Sequence, residues 1–185
     1  MRMLTQALIF IWLASPLLAA DPSEAQTALL ARVRATEDSI DNQFRNIAEA
    51  DPMSLVGLTR GAYLKDYGAV FTFEVMLVPV PHASPFRPRF TDEEKGQLNL
   101  RKRRRLEDLE AKVRRILVAE GSKLDVVPAN QKVAFVISLF HFAWEDVSHL
   151  PSQLVVQATR QTLIDRQAER LEAPEFRKNL DVQYF

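Results

Sequence analysis

Two alternating runs joined by a glycine-containing turn constrain this chain more than any other feature. In residues 55–64 and again in residues 69–78, apolar side chains recur at every second position. This period is typical of β-strands that bury one face. Residues 65–68 (KDYG) supply turn chemistry between the runs, so the sequence predicts an antiparallel β-hairpin. Gly57 and Gly61 in its first strand predict a bulge or a closely approaching neighbour.

A second hairpin is predicted further along the chain. Residues 133–142 alternate with apolar side chains on both faces, which is typical of a strand in the centre of a sheet. Residues 154–159 form the expected partner strand across the loop at 143–152.

Two long helices are predicted by apolar residues spaced three, four or seven apart. The first spans residues 23–50, and the second spans residues 92–120 after a capping-box pattern that starts at Thr91. A proline-rich crossing loop at 79–90 separates the first hairpin from the second helix. The C-terminal segment, 162–185, is expected to form a short helix that loosens at Pro174.

These elements predict a single α+β domain over residues 21–185. We expect two layers, in which about four antiparallel strands from the two hairpins carry the N-terminal and central helices on one face. The 47% hydrophobic content and zero net charge exclude a disordered chain. The absence of cysteine excludes a disulfide scaffold and a thiolate metal site.

Residues 1–20 have the pattern of a secretory signal peptide. Arg2 provides a positive start, residues 4–18 are largely apolar, and small residues precede Asp21. We therefore expect cleavage near Ala20 and a periplasmic or secreted mature protein, with an uncleaved N-terminal anchor as the alternative. No other stretch of the sequence is long and apolar enough to predict a membrane span.

One cluster of potential metal ligands lies at the end of the second hairpin's first strand. It consists of His141, Glu145, Asp146 and His149. Imidazoles and carboxylates are ligands of zinc-like ions and also act in general acid–base catalysis. However, their spacing matches no helical zinc motif. The alternative is an ordinary polar loop beside a strand end.

A basic stretch in the central helix is a candidate binding surface. It includes Arg101, Arg103, Arg104 and Arg105, within eight positive charges between residues 101 and 115. Such a helix would attract an anionic polymer or an anionic membrane surface. The alternative is a solvated helix face with internal ion pairs. Because no aromatic residue in the stretch can stack on bases, nucleic acid is not an expected partner.

The turn of the first hairpin is the other candidate binding patch. Aromatic and charged side chains gather there, namely Arg60, Tyr63, Lys65, Asp66 and Tyr67. Amphipathic aromatic residues are frequent recognition anchors. The alternative is that one tyrosine packs over the glycine-containing strand while the charged residues shape the turn.

The sequence contains no motif for a nucleophilic catalytic site, a phosphate-binding loop or a cofactor. It therefore favours an exported, non-catalytic domain that binds a protein or another envelope component. One alternative is a metal-dependent or general acid–base periplasmic hydrolase centred on residues 141–149. The other is binding of an anionic polymer or membrane surface through the basic helix at 101–115.

Overall fold

The computed structural model describes residues 22–45, 53–79 and 90–185. The helices of this part are α1 (Pro22–Arg45), α2 (Asp92–Gly121), α3 (Arg160–Gln167) and α4 (Ala173–Lys178). The strands are β1 (Ser54–Leu55), β2 (Arg60–Leu64), β3 (Gly68–Met76), β4 (Lys132–Leu139), β5 (Gln153–Thr159) and β6 (Asp181–Tyr184). The predicted signal peptide, the end of the predicted first helix at 46–50 and residues 80–89 of the crossing loop lie outside the described residues.

The first predicted hairpin is confirmed by the antiparallel pairing of β2 with β3, in which Gly61 lies opposite Phe71. A Cβ atom on Gly61 would lie 2.6 Å from the side chain of Val33 in α1. Gly68, which has a φ of +132°, would place a Cβ atom 1.9 Å from the carbonyl oxygen of Lys132. At Gly68 the backbone of β4 comes too close for any side chain, and at Gly61 neighbouring side chains would have to shift to admit one, so the neighbour predicted at Gly61 is confirmed.

All six described strands form one mixed sheet, which exceeds the four strands predicted from the sequence. The strand order is β1-β3-β4-β5-β6, and β2 pairs with β3 on the same edge as β1. Gly57, with a φ of +91°, lies between β1 and β2. The β3–β4 pair is parallel, and the other pairs are antiparallel. Parallel neighbours need a crossover connection, and α2 belongs to the one that joins these strands.

The second predicted hairpin is confirmed as β4 and β5, with Phe135 opposite Val156. The C-terminal segment differs from its prediction because it contains α3, α4 and the edge strand β6, which pairs with β5. Pro174 lies in the first turn of α4, where proline is tolerated because its missing N–H has no helical partner to lose. The four residues of β6 are too few for alternation to reveal a strand.

The capping box predicted at the start of the central helix is confirmed. The Thr91 hydroxyl accepts from the Glu94 backbone N–H at 3.2 Å, and the Glu94 carboxylate accepts from the Thr91 backbone N–H at 2.8 Å. The helix that follows has 30 residues. Neither it nor any other helix in the described part of the chain combines the length and apolar character that crossing a bilayer requires.

The hydrophobic core lies between one face of the sheet, which we call the covered face, and the helices. The sheet contributes the buried residues Phe71, Phe73, Val75, Val133, Phe135, Ile137, Leu154 and Val156. The helices contribute Ile40, Phe44, Leu109, Val113, Ile116, Leu117 and Leu163. The ring of Phe73 lies 5.4 Å from that of Phe44 and 5.8 Å from that of Phe135, measured between centroids. Aromatic contacts therefore connect α1 to the centre of the sheet.

Helix α1 also closes one edge of the sheet. The backbone N–H of Gly61 donates to the Glu37 carboxylate at 2.5 Å, and that of Thr59 donates to the Asp41 carboxylate at 2.9 Å. Edge strands leave such N–H groups without a strand partner. Two helix carboxylates therefore replace the hydrogen bonds that a further strand would make.

Candidate functional site

Lys102 is the one polar residue among the largest fully buried side chains of the described structure, and its side chain is 1% exposed on the inner side of α2. Its Nζ contacts the Glu145 carboxylate, the Phe140 carbonyl oxygen at 3.1 Å and His141 Nδ1 at 3.3 Å. An ammonium group has three N–H donors, and three acceptors surround this one. Because Nδ1 of His141 accepts here, we assign the imidazole hydrogen to Nε2, which lies 3.3 Å from the Pro151 carbonyl oxygen.

Glu145 is also buried, with a side chain that is 3% exposed. Besides its contact with Lys102, the carboxylate accepts from the Phe142 backbone N–H at 3.1 Å. The Glu145 backbone N–H donates in turn to the Phe142 carbonyl oxygen at 3.0 Å. A buried ion pair needs such additional hydrogen bonds because both charges have left water. We call Lys102, His141 and Glu145 the anchor cluster, since together they attach the segment 140–151 to α2.

Two further α2 side chains hold the same segment. Asn99 donates to the Asp146 carbonyl oxygen at 2.7 Å, and Arg103 donates to the Ser148 carbonyl oxygen at 3.3 Å. Positions 99, 102 and 103 are three or four residues apart and therefore lie on one side of the helix. The segment after β4 is thus attached to α2 through its backbone as well as through its ionised side chains.

An aromatic stack completes these attachments. The Trp144 ring stacks on Phe90 at 4.2 Å and on Phe142 at 5.3 Å, and Phe140 meets Phe142 edge-on at 4.9 Å. Phe90 immediately precedes the capped start of α2. The stack therefore ties the beginning of the helix to the end of β4.

The structure divides the predicted set of metal ligands. His141 and Glu145 come together in the anchor cluster, with Nδ1 and Oε2 3.7 Å apart. Asp146 instead accepts from the Ser148 backbone N–H at 2.9 Å. Hydrogen bonds from Ser148, with smaller contributions from the nearby His149 and Arg103, hold the Asp146 pKa below its usual value. Within residues 22–45, 53–79 and 90–185, no three His, Asp or Glu side chains are arranged to hold a metal ion.

The predicted basic stretch is also divided. Lys102 points into the core, whereas Arg101, Arg103 and Arg104 are exposed. Arg105 is half-buried and pairs with Asp108 at 3.7 Å. A signal for the inward lysine exists in the sequence, because position 102 lies four residues after Leu98 and seven before Leu109 on the apolar face.

The predicted patch at the first hairpin is split between the two sides of the sheet. Tyr63 packs against the core on the covered side, and its hydroxyl donates to Gln131 at 2.9 Å. Arg60 is exposed on the opposite face, and Lys65 and Asp66 are exposed in the turn. The alternative in which one tyrosine packs over the glycine-containing strand therefore describes Tyr63.

The opposite side of the sheet, which we call the open face, is the largest surface that sequence reasoning missed. Buried side chains of α1, α2, α3 and α4 belong to the same core cluster as Phe71, Phe135 and Val156 of the covered face. The open face carries Arg60, Ala62, Val70, Thr72, Glu74, Lys132, Ala134, Val136, Ser138, Gln153, Val155, Gln157, Asp181 and Gln183. The sequence shows the second apolar face of residues 133–142, but that pattern predicts only a central strand.

A chain of polar contacts crosses one end of the open face. The Tyr67 hydroxyl donates to Gln157 at 2.6 Å, and the Gln157 amide donates to Asp181 at 2.7 Å. The Lys132 ammonium lies 5.9 Å from the centre of the Tyr67 ring. Burial, with a smaller contribution from the Asp181 charge, raises the Tyr67 pKa. Hydrogen bonds from Gln183 and then Gln157 lower the Asp181 pKa. Tyr67 thus belongs to a polar row that links the turn to β5 and β6.

Comparison with known proteins gives no relative for this chain: no family model, no curated protein and no solved structure matches it.

Proposed function

We propose that this protein is an exported, non-catalytic domain that binds another protein through the open face of its sheet. The observation that carries the proposal is the apolar centre of that face, which lies on the side away from all four described helices. A sheet face turned to water normally carries polar residues. In this proposal the molecule has two layers, and its described helices lie over the covered face alone. The partner protein would then cover the open face.

The apolar centre is continuous across three strands. Val70 lies beside Ala134, and Val136 lies beside Val155 in the adjacent row. The three valines are half-buried, and Ala134 is 1% exposed. Hydroxyl, amide and charged side chains surround this centre. An apolar centre with a polar rim is the ordinary composition of a protein–protein interface.

The charges of the open face favour a protein over an anionic polymer. Arg60 and Lys132 are positive, and Glu74 and Asp181 are negative, so the four charges cancel. A surface for a polyanion would carry an excess of positive charge. A balanced rim instead suits a partner whose own surface carries both signs.

The anchor cluster supports a non-catalytic role. The three donors of Lys102 and both oxygens of Glu145 are engaged within the fold. Because these groups make their hydrogen bonds within the fold, they hold segment 140–151 in place and are not available to a bound molecule. Of the four residues that suggested a hydrolase, His141 and Glu145 are therefore held within the fold.

Site-specific photo-crosslinking in the cells that make the protein tests the binding surface. A photoreactive amino acid at position 155 should capture a different protein. The same amino acid at Leu100, which is 56% exposed on α2, is the matched control and should not capture it. The additional substitution Val136→Glu should abolish the product because it places a charge in the apolar centre. A positive result at position 155 that is lost with Val136→Glu identifies the surface.

Three outcomes would overturn the assignment: no product from position 155, a product that persists with Val136→Glu, or the same product from position 100. A product of twice the chain's own mass would show a second copy on the face in place of a different protein. Thermal unfolding should show that each variant remains folded, with a small loss of stability for Val136→Glu, because positions 100, 136 and 155 all lie outside the fully buried core.

Export rests on the leader at residues 1–20 and has its own test. Mass spectrometry of the protein recovered from the envelope and secreted fractions should find Asp21 as the first residue. Recovery from the cytosol with Met1–Ala20 still attached would contradict export. Recovery of the intact leader in the membrane fraction would contradict cleavage.

A further inference from the structure

A cleft lined by four arginines lies on the side of α2 that faces α3 and α4. Its volume is about 700 Å³, within the range of small-molecule sites. The guanidinium groups belong to Arg114 and Arg115 of α2, Arg166 of α3 and Arg177 of α4. The acidic residues of the lining are Glu169 and Glu172. Four positive and two negative charges leave a net charge of +2 on the lining.

Two of the four guanidinium groups are held by the fold. Arg114 pairs with Glu110 one helical turn earlier, and Arg166 donates to the Leu171 carbonyl oxygen at 3.0 Å. Arg115 and Arg177 are exposed and make no hydrogen bond or ion pair within the described part of the chain. They line the same cleft from different helices.

The lining also contains apolar residues. They are Ala111 and Val118 of α2 and Ala173 and Phe176 of α4, and Phe176 is 6% exposed. Guanidinium groups bind carboxylates and phosphates through paired hydrogen bonds. Apolar lining residues together with free arginines from two helices therefore suit a compact organic molecule that carries at least two oxyanion groups.

We propose that this cleft, which we call the arginine cleft, binds a small organic polyanion whose carboxylate or phosphate groups are held by Arg115 and Arg177. The site is separate from the open face, because it lies among the helices on the other side of the sheet. Arg114 and Arg115 belong to the basic stretch predicted at 101–115, whereas Arg101, Arg103 and Arg104 of that stretch do not line the cleft.

Isothermal titration calorimetry with citrate, pyrophosphate and inorganic phosphate, each at constant ionic strength, tests the site. Citrate and pyrophosphate should bind more tightly than inorganic phosphate because each carries more than one oxyanion group. A preference for citrate over pyrophosphate identifies a carboxylate ligand, and the reverse order identifies a phosphate ligand.

The double variant Arg115→Gln/Arg177→Gln should weaken binding by about tenfold or more, since two charge-assisted contacts are lost. The matched control is Arg101→Gln/Arg104→Gln, which removes two exposed charges from α2 away from the cleft. It should change the Kd by less than about twofold. Glu172→Gln should tighten binding, because it removes a negative charge from the lining.

The proposal is overturned if none of the three anions binds the unsubstituted chain at about millimolar concentration. It is equally overturned if the control double variant loses as much affinity as the cleft variant, since binding would then follow overall charge. All five substituted side chains are exposed, so a folded sample of each variant is expected.

Discussion

The covered face and the open face are built from the same strands, yet they meet different surroundings. In β4, Phe135 and Ile137 are fully buried beneath the helices. Val136 and Ser138 alternate with them on the open face, where Val136 is half-buried and Ser138 is exposed. Since strand geometry is shared, the difference comes from what packs on each face. The comparison teaches that one face of this sheet carries the buried core, and the proposed partner would bind the other.

The largest effect should come from truncating the covered face. Phe135→Ala removes a fully buried ring that contacts two other phenylalanines, and should lower the free energy of unfolding by about 3–5 kcal/mol. Val136→Ala, one residue away on the open face, should cost about 1 kcal/mol or less. Guanidinium chloride unfolding measures the free energy of unfolding of both variants. Equal losses in the two variants would contradict the difference between the faces.

Substitution in the ion pair beneath α2 should lower the free energy of unfolding by nearly as much. Glu145→Ala leaves the Lys102 charge buried without its carboxylate, and should cost about 3–5 kcal/mol. The double variant Lys102→Met/Glu145→Leu removes both charges and should recover much of that loss in the same unfolding measurement. If the double variant were as unstable as Glu145→Ala, the uncompensated charge would not be the cause.

A smaller difference in stability is expected between substitutions at two adjacent residues of β2. Gly61→Ala adds a methyl group where Val33 and Phe71 leave no space on the covered face, and should cost about 1–3 kcal/mol. Ala62→Val adds volume on the exposed side of the same strand and should be neutral or slightly stabilising, since valine favours strands. Thermal unfolding of both variants would test whether the crowding at β2 is confined to one face.

The smallest effect concerns the pH dependence of the open face. Hydrogen bonds from Gln183 and Gln157 keep the native Asp181 pKa below the ordinary value of 3.8. Its carboxylate therefore stabilises the fold at higher pH, and this contribution is lost as the pH falls through the native pKa. Asp181→Asn should lower the urea midpoint at about pH 6 but have little effect at about pH 2.5. If Asp181→Asn lowered the urea midpoint by the same amount at both pH values, the stabilising role of the ionised Asp181 carboxylate would be contradicted.

The elements with strong periodicity were predictable from the sequence, while their assembly was not. The β2–β3 hairpin, the capping box at Thr91 and the central position of β4 follow from alternation and turn or cap chemistry. The parallel β3–β4 pairing was not predictable, because alternation determines which face a residue occupies but not the direction of the neighbouring strand. The edge strand β6 was missed because four residues carry too little pattern.

The candidate site was less predictable for a similar reason. Lys102 lies within a run of five basic residues, and such a run is typical of a solvated helix face. Its burial depends on Glu145, which is 43 positions away in the sequence and reaches it only after the crossover brings β4 against α2. A pairing over such a distance leaves no periodic trace in either segment.

The carboxylates of Glu37 and Asp41, which accept from the N–H groups of Gly61 in β2 and of Thr59 just before it, limit how copies of this protein can join by strand addition. Growth of a continuous intermolecular sheet requires two receptive borders on every copy. Here one border is already occupied by a helix, and only β6 remains on the opposite side among the described strands. Strand addition between copies would therefore end at a pair, and an open-ended fibre would first require α1 to detach.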